Sequence, residues 1–61
     1  MTTFLRRPQV EARTGLPRST IYDRMKKGSF PKPINLGKRT VAWLLADIEA
    51  WMEQQLKQAG R

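Results

Sequence analysis

The stretch RPQVEARTGLPRSTIYDRMKK, residues 7 to 27, is the part of the chain whose reading decides the fold. Pro8 suits the first turn of a helix, where its missing N–H removes a donor that has no partner anyway. Gly15 suits the left-handed residue that ends that helix, and Pro17 stands two residues later, at the entry to another. The first helix is expected over 8–14 with Val10 and Thr14 inward, the second over 17–27, starting at Pro17 or Arg18 and stopping before Gly28. Along the second helix only Ile21 and Met25, one turn apart, form an apolar line. Its other sides carry Ser19, Thr20, Asp23, Arg24, Lys26 and Lys27. Two short helices about such a turn are a helix-turn-helix, and a helix buried on one line with hydroxyls and long cations elsewhere suits the DNA major groove.

Downstream, GSFPKP (28–33) holds two prolines and a glycine in six residues, which excludes helix. Phe30 within it is read as a plug beneath the helix pair, in preference to a stacking platform for a base. The next stretch alternates as Ile34-x-Leu36 and Val41-x-Trp43 about Gly37-Lys38-Arg39, so a β-hairpin with one apolar face and a cationic tip is expected over 33–43. From Leu45 to Gln58 the apolar spacing turns helical through Leu45, Ile48, Trp51 or Met52, and Leu56. Asp47 suits the first turn of that helix, and Glu53 with Lys57 is expected to form an i, i+4 pair. Trp43 and Trp51 are expected to contribute most to the core. At the start of the chain, Phe4 and Leu5 are expected to tuck onto it, and whether they pair as a brief strand is open. The fold class is therefore mainly α with a small β-hairpin, a single winged helix-turn-helix domain of three helices plus wing.

Composition narrows the function. A chain of 61 residues buries only about 60% of its unfolded surface, which leaves no room for a deep catalytic cavity. Without cysteine or histidine there is no disulfide framework, no good zinc ligand set and no proton shuttle for neutral pH, so no metal, cofactor or catalytic residue is expected. The start, MTTFLRRP, lacks the apolar core of a secretion signal, and no run reaches membrane-spanning length, which points to the cytoplasm. Residues 1 to 40 hold ten Lys/Arg against Glu11 and Asp23, giving +8, whereas 41 to 61 hold Lys57 and Arg61 against Asp47, Glu49 and Glu53, giving −1. That polarity implies a polyanionic partner, with nucleic acid ahead of anionic membrane. A basic surface kept for solubility is the competing account.

The candidate DNA-binding residues are Arg18, Ser19, Thr20, Tyr22, Asp23, Arg24, Lys26, Lys27, Lys38 and Arg39. Arg24 is the leading candidate for a bidentate guanine contact, and Asp23 for accepting from a cytosine amine. Arg18, Lys26, Lys38 and Arg39 are assigned to phosphates, where they set register without reading sequence. Tyr22 either anchors the helix to a phosphate or packs against the wing. A solvated hairpin turn is the alternative to a wing that engages DNA. An enzyme is disfavoured because a Ser or Thr nucleophile would have no base. A membrane-active peptide is disfavoured because the most amphipathic helix, 45–58, is net acidic. An RNA module would need exposed aromatics at stacking spacing. A protein-interaction or anti-repressor module acting through the last helix stays open.

The ordered set Val10, Thr14-Gly15-Leu16, Arg18-Ser19-Thr20-Ile21-Tyr22, Gly28-x-Phe30-Pro31-Lys32-Pro33, Leu36-Gly37, Val41-x-Trp43 and Ile48-x-x-Trp51-Met52 resembles the AlpA family of small phage and prophage regulators. The match runs over roughly residues 4 to 53. Pro17 departs from the serine that usually caps the second helix in that family, so Ser19 is a candidate to share the capping; Ala46 also departs, lacking a polar residue often found there. The resemblance implies a MerR-like winged helix-turn-helix close to phage excisionases. It also implies a regulator of integrase expression or prophage excision, without a small-molecule sensor. An excisionase that bends DNA is the nearest alternative. RNA polymerase or integrase, and cooperative copies of the chain on DNA, are the further partners to expect, with localisation at the nucleoid.

Overall fold

The computed structural model describes residues 2–60. In chain order it comprises β1 (Phe4–Leu5), α1 (Arg7–Thr14), α2 (Arg18–Lys26), β2 (Ile34–Gly37), β3 (Thr40–Leu44) and α3 (Leu45–Gln58). The three helices and the hairpin make a mainly α winged helix-turn-helix. The hairpin is not alone, however: β1 pairs antiparallel with β3, giving a sheet of order β1-β3-β2. The Thr3 carbonyl extends that pairing by accepting from the Leu45 N–H at 2.8 Å, which ties the chain start to the first turn of α3.

Local chemistry accounts for the helix ends. Gln9 Oε1 accepts from the Arg6 N–H at 2.8 Å and so satisfies one donor ahead of α1. Gly15 ends α1 at φ 73°, its N–H donating to the Glu11 carbonyl. Thr14 Oγ1 donates to the Val10 carbonyl at 2.8 Å and accepts from the Leu16 N–H at 3.4 Å, which holds the turn between the helices. Pro17, extended at ψ 161°, is the N-cap residue of α2, and no side chain caps that end. Ser19 thus lies inside the first turn and does not take over the cap.

Leu5, Val10, Ile21, Phe30, Trp43 and Ile48 form the core, so every element except β2 contributes at least one side chain or, for Phe30, the loop that follows α2. Leu16, Met25, Val41, Leu45, Trp51 and Met52 pack around them.

Several expectations need correction. Leu5 is buried, but Phe4 is 43% exposed, because neighbouring strand residues point to opposite faces and the chain commits only one of them to the core. The hairpin does not bury one uniform apolar face. Leu5 pairs with Trp43 on the inner face of the sheet, whereas Ile34 lies opposite Ala42 and shares the other face with Phe4. A register irregularity between Asn35 and Gly37 displaces Leu36, which is exposed as well. The two tryptophans are also unequal: Trp43 is fully buried and Trp51 half-buried. Among the described residues the ion pairs are Arg7–Glu11 and Asp23–Lys27, and the expected Glu53–Lys57 pair does not form.

Candidate nucleic-acid interface

Placement of α2 follows from its single buried line. Ile21 is fully buried and Met25 packs beside it, which sends Ser19, Tyr22, Asp23 and Lys26 to the opposite, exposed side. Lys27, just beyond the helix, is exposed too. The Asp23 and Lys27 side chains pair at 3.1 Å across one turn. Both are well exposed, and such surface pairs contribute only about 0.3–0.5 kcal/mol, so either group can exchange its partner for a ligand at little cost. Arg18 is exposed at the start of the helix, its guanidinium 5.7 Å from the centre of the Tyr22 ring. Tyr22 therefore packs against Arg18, and its ring stays partly in solvent.

Thr20 and Arg24 occupy a different flank. Both are half-buried, and the Arg24 guanidinium lies 5.8 Å from the Trp51 ring centre, over α3. The leading guanine-contact candidate is thus turned into the seam between α2 and α3. Nothing in the spacing of α2 alone would reveal this, because the partner ring is 27 residues away in sequence.

The C-terminal end of α2 is fixed tightly. Gly28, at φ 78°, lets its own N–H donate to the Met25 carbonyl at 3.1 Å and the Ser29 N–H to the Arg24 carbonyl at 2.9 Å, the paired bonds of a Schellman stop. The loop that follows is held by both indoles: Trp51 Nε1 donates to the Ser29 carbonyl at 2.8 Å and Trp43 Nε1 to the Pro31 carbonyl at 3.0 Å. Phe30, buried as the expected plug, meets the Trp51 ring edge-on at 4.8 Å. This pinned loop is the covalent link between α2 and the wing. It also presents Lys32, an exposed cation outside the set derived from sequence, although the positive sum of residues 1 to 40 already contained it.

At the wing tip Lys38 and Arg39 are both exposed. Gly37 donates its N–H to Asn35 Oδ1 at 3.0 Å, and Thr40 Oγ1 donates to the Lys38 carbonyl at 3.3 Å, closing the turn. Arg39 adopts φ 58°, the left-handed region in which a side chain costs about 1–2 kcal/mol and which glycine would occupy freely.

Helix, turn, helix and cation-tipped hairpin define the class, a winged helix-turn-helix. The chain belongs to the family described as prophage CP4-57 regulatory protein (AlpA), whose model matches residues 3–56. It is similar to the uncharacterized protein ORF88 of Enterobacteria phage P4, with 48% identity over 95% of this chain and 64% of that protein. It is also similar to the DNA-binding transcriptional activator AlpA of Escherichia coli, with 41% identity over 88% of this chain and 86% of the relative. The chain therefore spans less than two-thirds of the phage relative and most of the bacterial one. No helix among the described residues is long and apolar enough to cross a membrane.

Proposed function

We propose that this chain is a sequence-specific regulator that binds double-stranded DNA through the exposed side of α2 and the tip of the β2–β3 hairpin. The observation that carries the reading is that α2 spends one line of side chains on the core and leaves Ser19, Tyr22, Asp23 and Lys26 uncovered. Similarity to the DNA-binding transcriptional activator AlpA of Escherichia coli supports the same reading.

In this mechanism α2 enters a major groove with Ser19 and Asp23 toward base edges, Thr20 at the flank and Lys26 on a flanking phosphate. Arg18 and Lys27 hold phosphates on either side of that groove. The amides in the first turn of α2, which no side chain caps, add to Arg18 at the positive end of the helix dipole. Tyr22 keeps the Arg18 guanidinium extended along the helix. Lys38 and Arg39 meet the backbone beside the groove, and the loop clamped by the two indoles sets the distance between helix and wing. Arg24 acts mainly by seating α2 on Trp51.

The biological outcome we favour is control of integrase expression or of prophage excision, with RNA polymerase or integrase as the protein partner. Titration of fluorescent duplex DNA and of single-stranded RNA at low salt tests the core of the reading. Tighter binding of the duplex, weakened by Lys26→Ala, is expected; no duplex binding at low salt would overturn it. Footprinting combined with a bend assay on DNA flanking the gene then separates a transcription factor from an excisionase, since only a strongly bent complex favours the latter.

A further inference from the structure

The end of α3, with the Ala59 that follows it, leaves an apolar strip that the other described residues do not cover. Ile48 seals the core, but Leu56 is 55% exposed, Met52 is half-buried and Ala59 is exposed. These three recur at i, i+4 and i+7 and so share one side of the helix. They form one wall of an open groove whose other wall is made by Thr14 and Arg24. Beside the strip stand Glu53 and Lys57, one turn apart, and among the described residues neither is in an ion pair.

We infer that this strip packs against the same strip of a second copy, α3 against α3, antiparallel about a two-fold axis near Gln55. The inference rests on the DNA-binding reading above. Charge selects the arrangement. In the antiparallel register Glu53 of each copy lies beside Lys57 of the other, twice over, whereas in a parallel pair the two-fold axis runs along the helices and puts these flanks on opposite sides of the seam, where they cannot meet. Centring the overlap near Gln55 also leaves Asp47 and Glu49 beyond the other helix, so the acidic first halves do not confront each other. In an isologous contact each apolar strip covers its equivalent, with no surface left over to propagate a fibre.

Three apolar side chains per copy fall well short of the roughly 1,600 Å² of a standard stable interface, so the free protein is monomeric at ordinary concentrations. DNA changes this by holding two copies side by side, where even a weak contact is multiplied by effective concentration. Because the copies are related by a two-fold axis, the half-sites they favour are inverted repeats.

The test compares duplexes carrying one half-site, two inverted half-sites or two direct ones, using sites defined by footprinting. The expected result is a gain of about tenfold or more on the inverted pair over independent binding, and none on the direct pair. Leu56→Glu removes the gain while single-site affinity stays within about twofold, as suits an exposed residue outside the DNA interface. Glu53→Lys also removes it, and Glu53→Lys combined with Lys57→Glu restores it. Intact single-site binding with no gain on inverted sites overturns the pairing and leaves the DNA reading standing; a gain on direct sites that ignores the charge swap does the same. Loss of single-site binding by the unaltered protein overturns both.

Discussion

Arg24 shows how one contact can redistribute roles along a helix. Its guanidinium lies over the Trp51 ring, and Trp51 in turn holds the Ser29 carbonyl and the edge of Phe30. A cation over an indole at a partly exposed site contributes about 0.5–1 kcal/mol, so Arg24→Ala should lower stability by that amount. Its effect on DNA should be a weakening of similar size on every sequence, since a slightly loosened α2 reads no base differently. Binding measured across a set of single-base variants of the site checks this. A relaxed preference confined to one position would instead place Arg24 in the groove as a base contact.

At the scale of elements, the end of α2 and the tip of the wing carry opposite kinds of backbone choice. Gly28 occupies φ 78°, and a Cβ there would meet no neighbouring atom within 4 Å. Gly28→Ala should therefore cost only the left-handed penalty, about 1–2 kcal/mol, with no added clash. For a domain of this size that corresponds to a fall of very roughly 4–16 °C in melting temperature. Arg39 is the reverse case, a side chain kept where glycine would be more comfortable. Arg39→Gly should raise stability by about 1 kcal/mol and, if the wing meets phosphate, reduce the log–log salt slope of DNA binding by about one. Thermal melting and a salt titration of the same variant read the two effects separately. A more stable protein with an unchanged slope would take Arg39 out of the interface.

For the whole molecule the governing quantity is the separation of charge, +8 over residues 1 to 40 against −1 over the remainder. Four to six phosphate contacts drawn from that surface give an expected salt slope of about −4 to −5. Removing both wing cations, Lys38→Ala with Arg39→Ala, should flatten it by about two, and an unchanged slope would confine the interface to α2. One module of this size covers too little DNA for specificity across a genome, which is the physical reason to look for a second copy beside it.

Local patterns in the chain were enough to place the helix-turn-helix, the hairpin, the Phe30 plug and the polar side of α2. Gly15, Gly28, the paired prolines and the spacing of Ile21 to Met25 act over a few residues, and such short-range rules survive translation from sequence to structure. Phe4 and Leu5 were legible only in part. Their apolar character was plain, but which of them faces inward depends on pairing with β3 some 40 residues away. The same holds for Ile34 and Leu36, whose exposure follows from the hairpin register and its irregularity. The seating of Arg24 on Trp51, the unequal burial of the two tryptophans and the uncovered strip at the end of α3 depend on how α2, α3 and the pinned loop meet. Those contacts join residues far apart in the chain, so no local periodicity could report them; they arise only when packing forces each side chain to choose a neighbour.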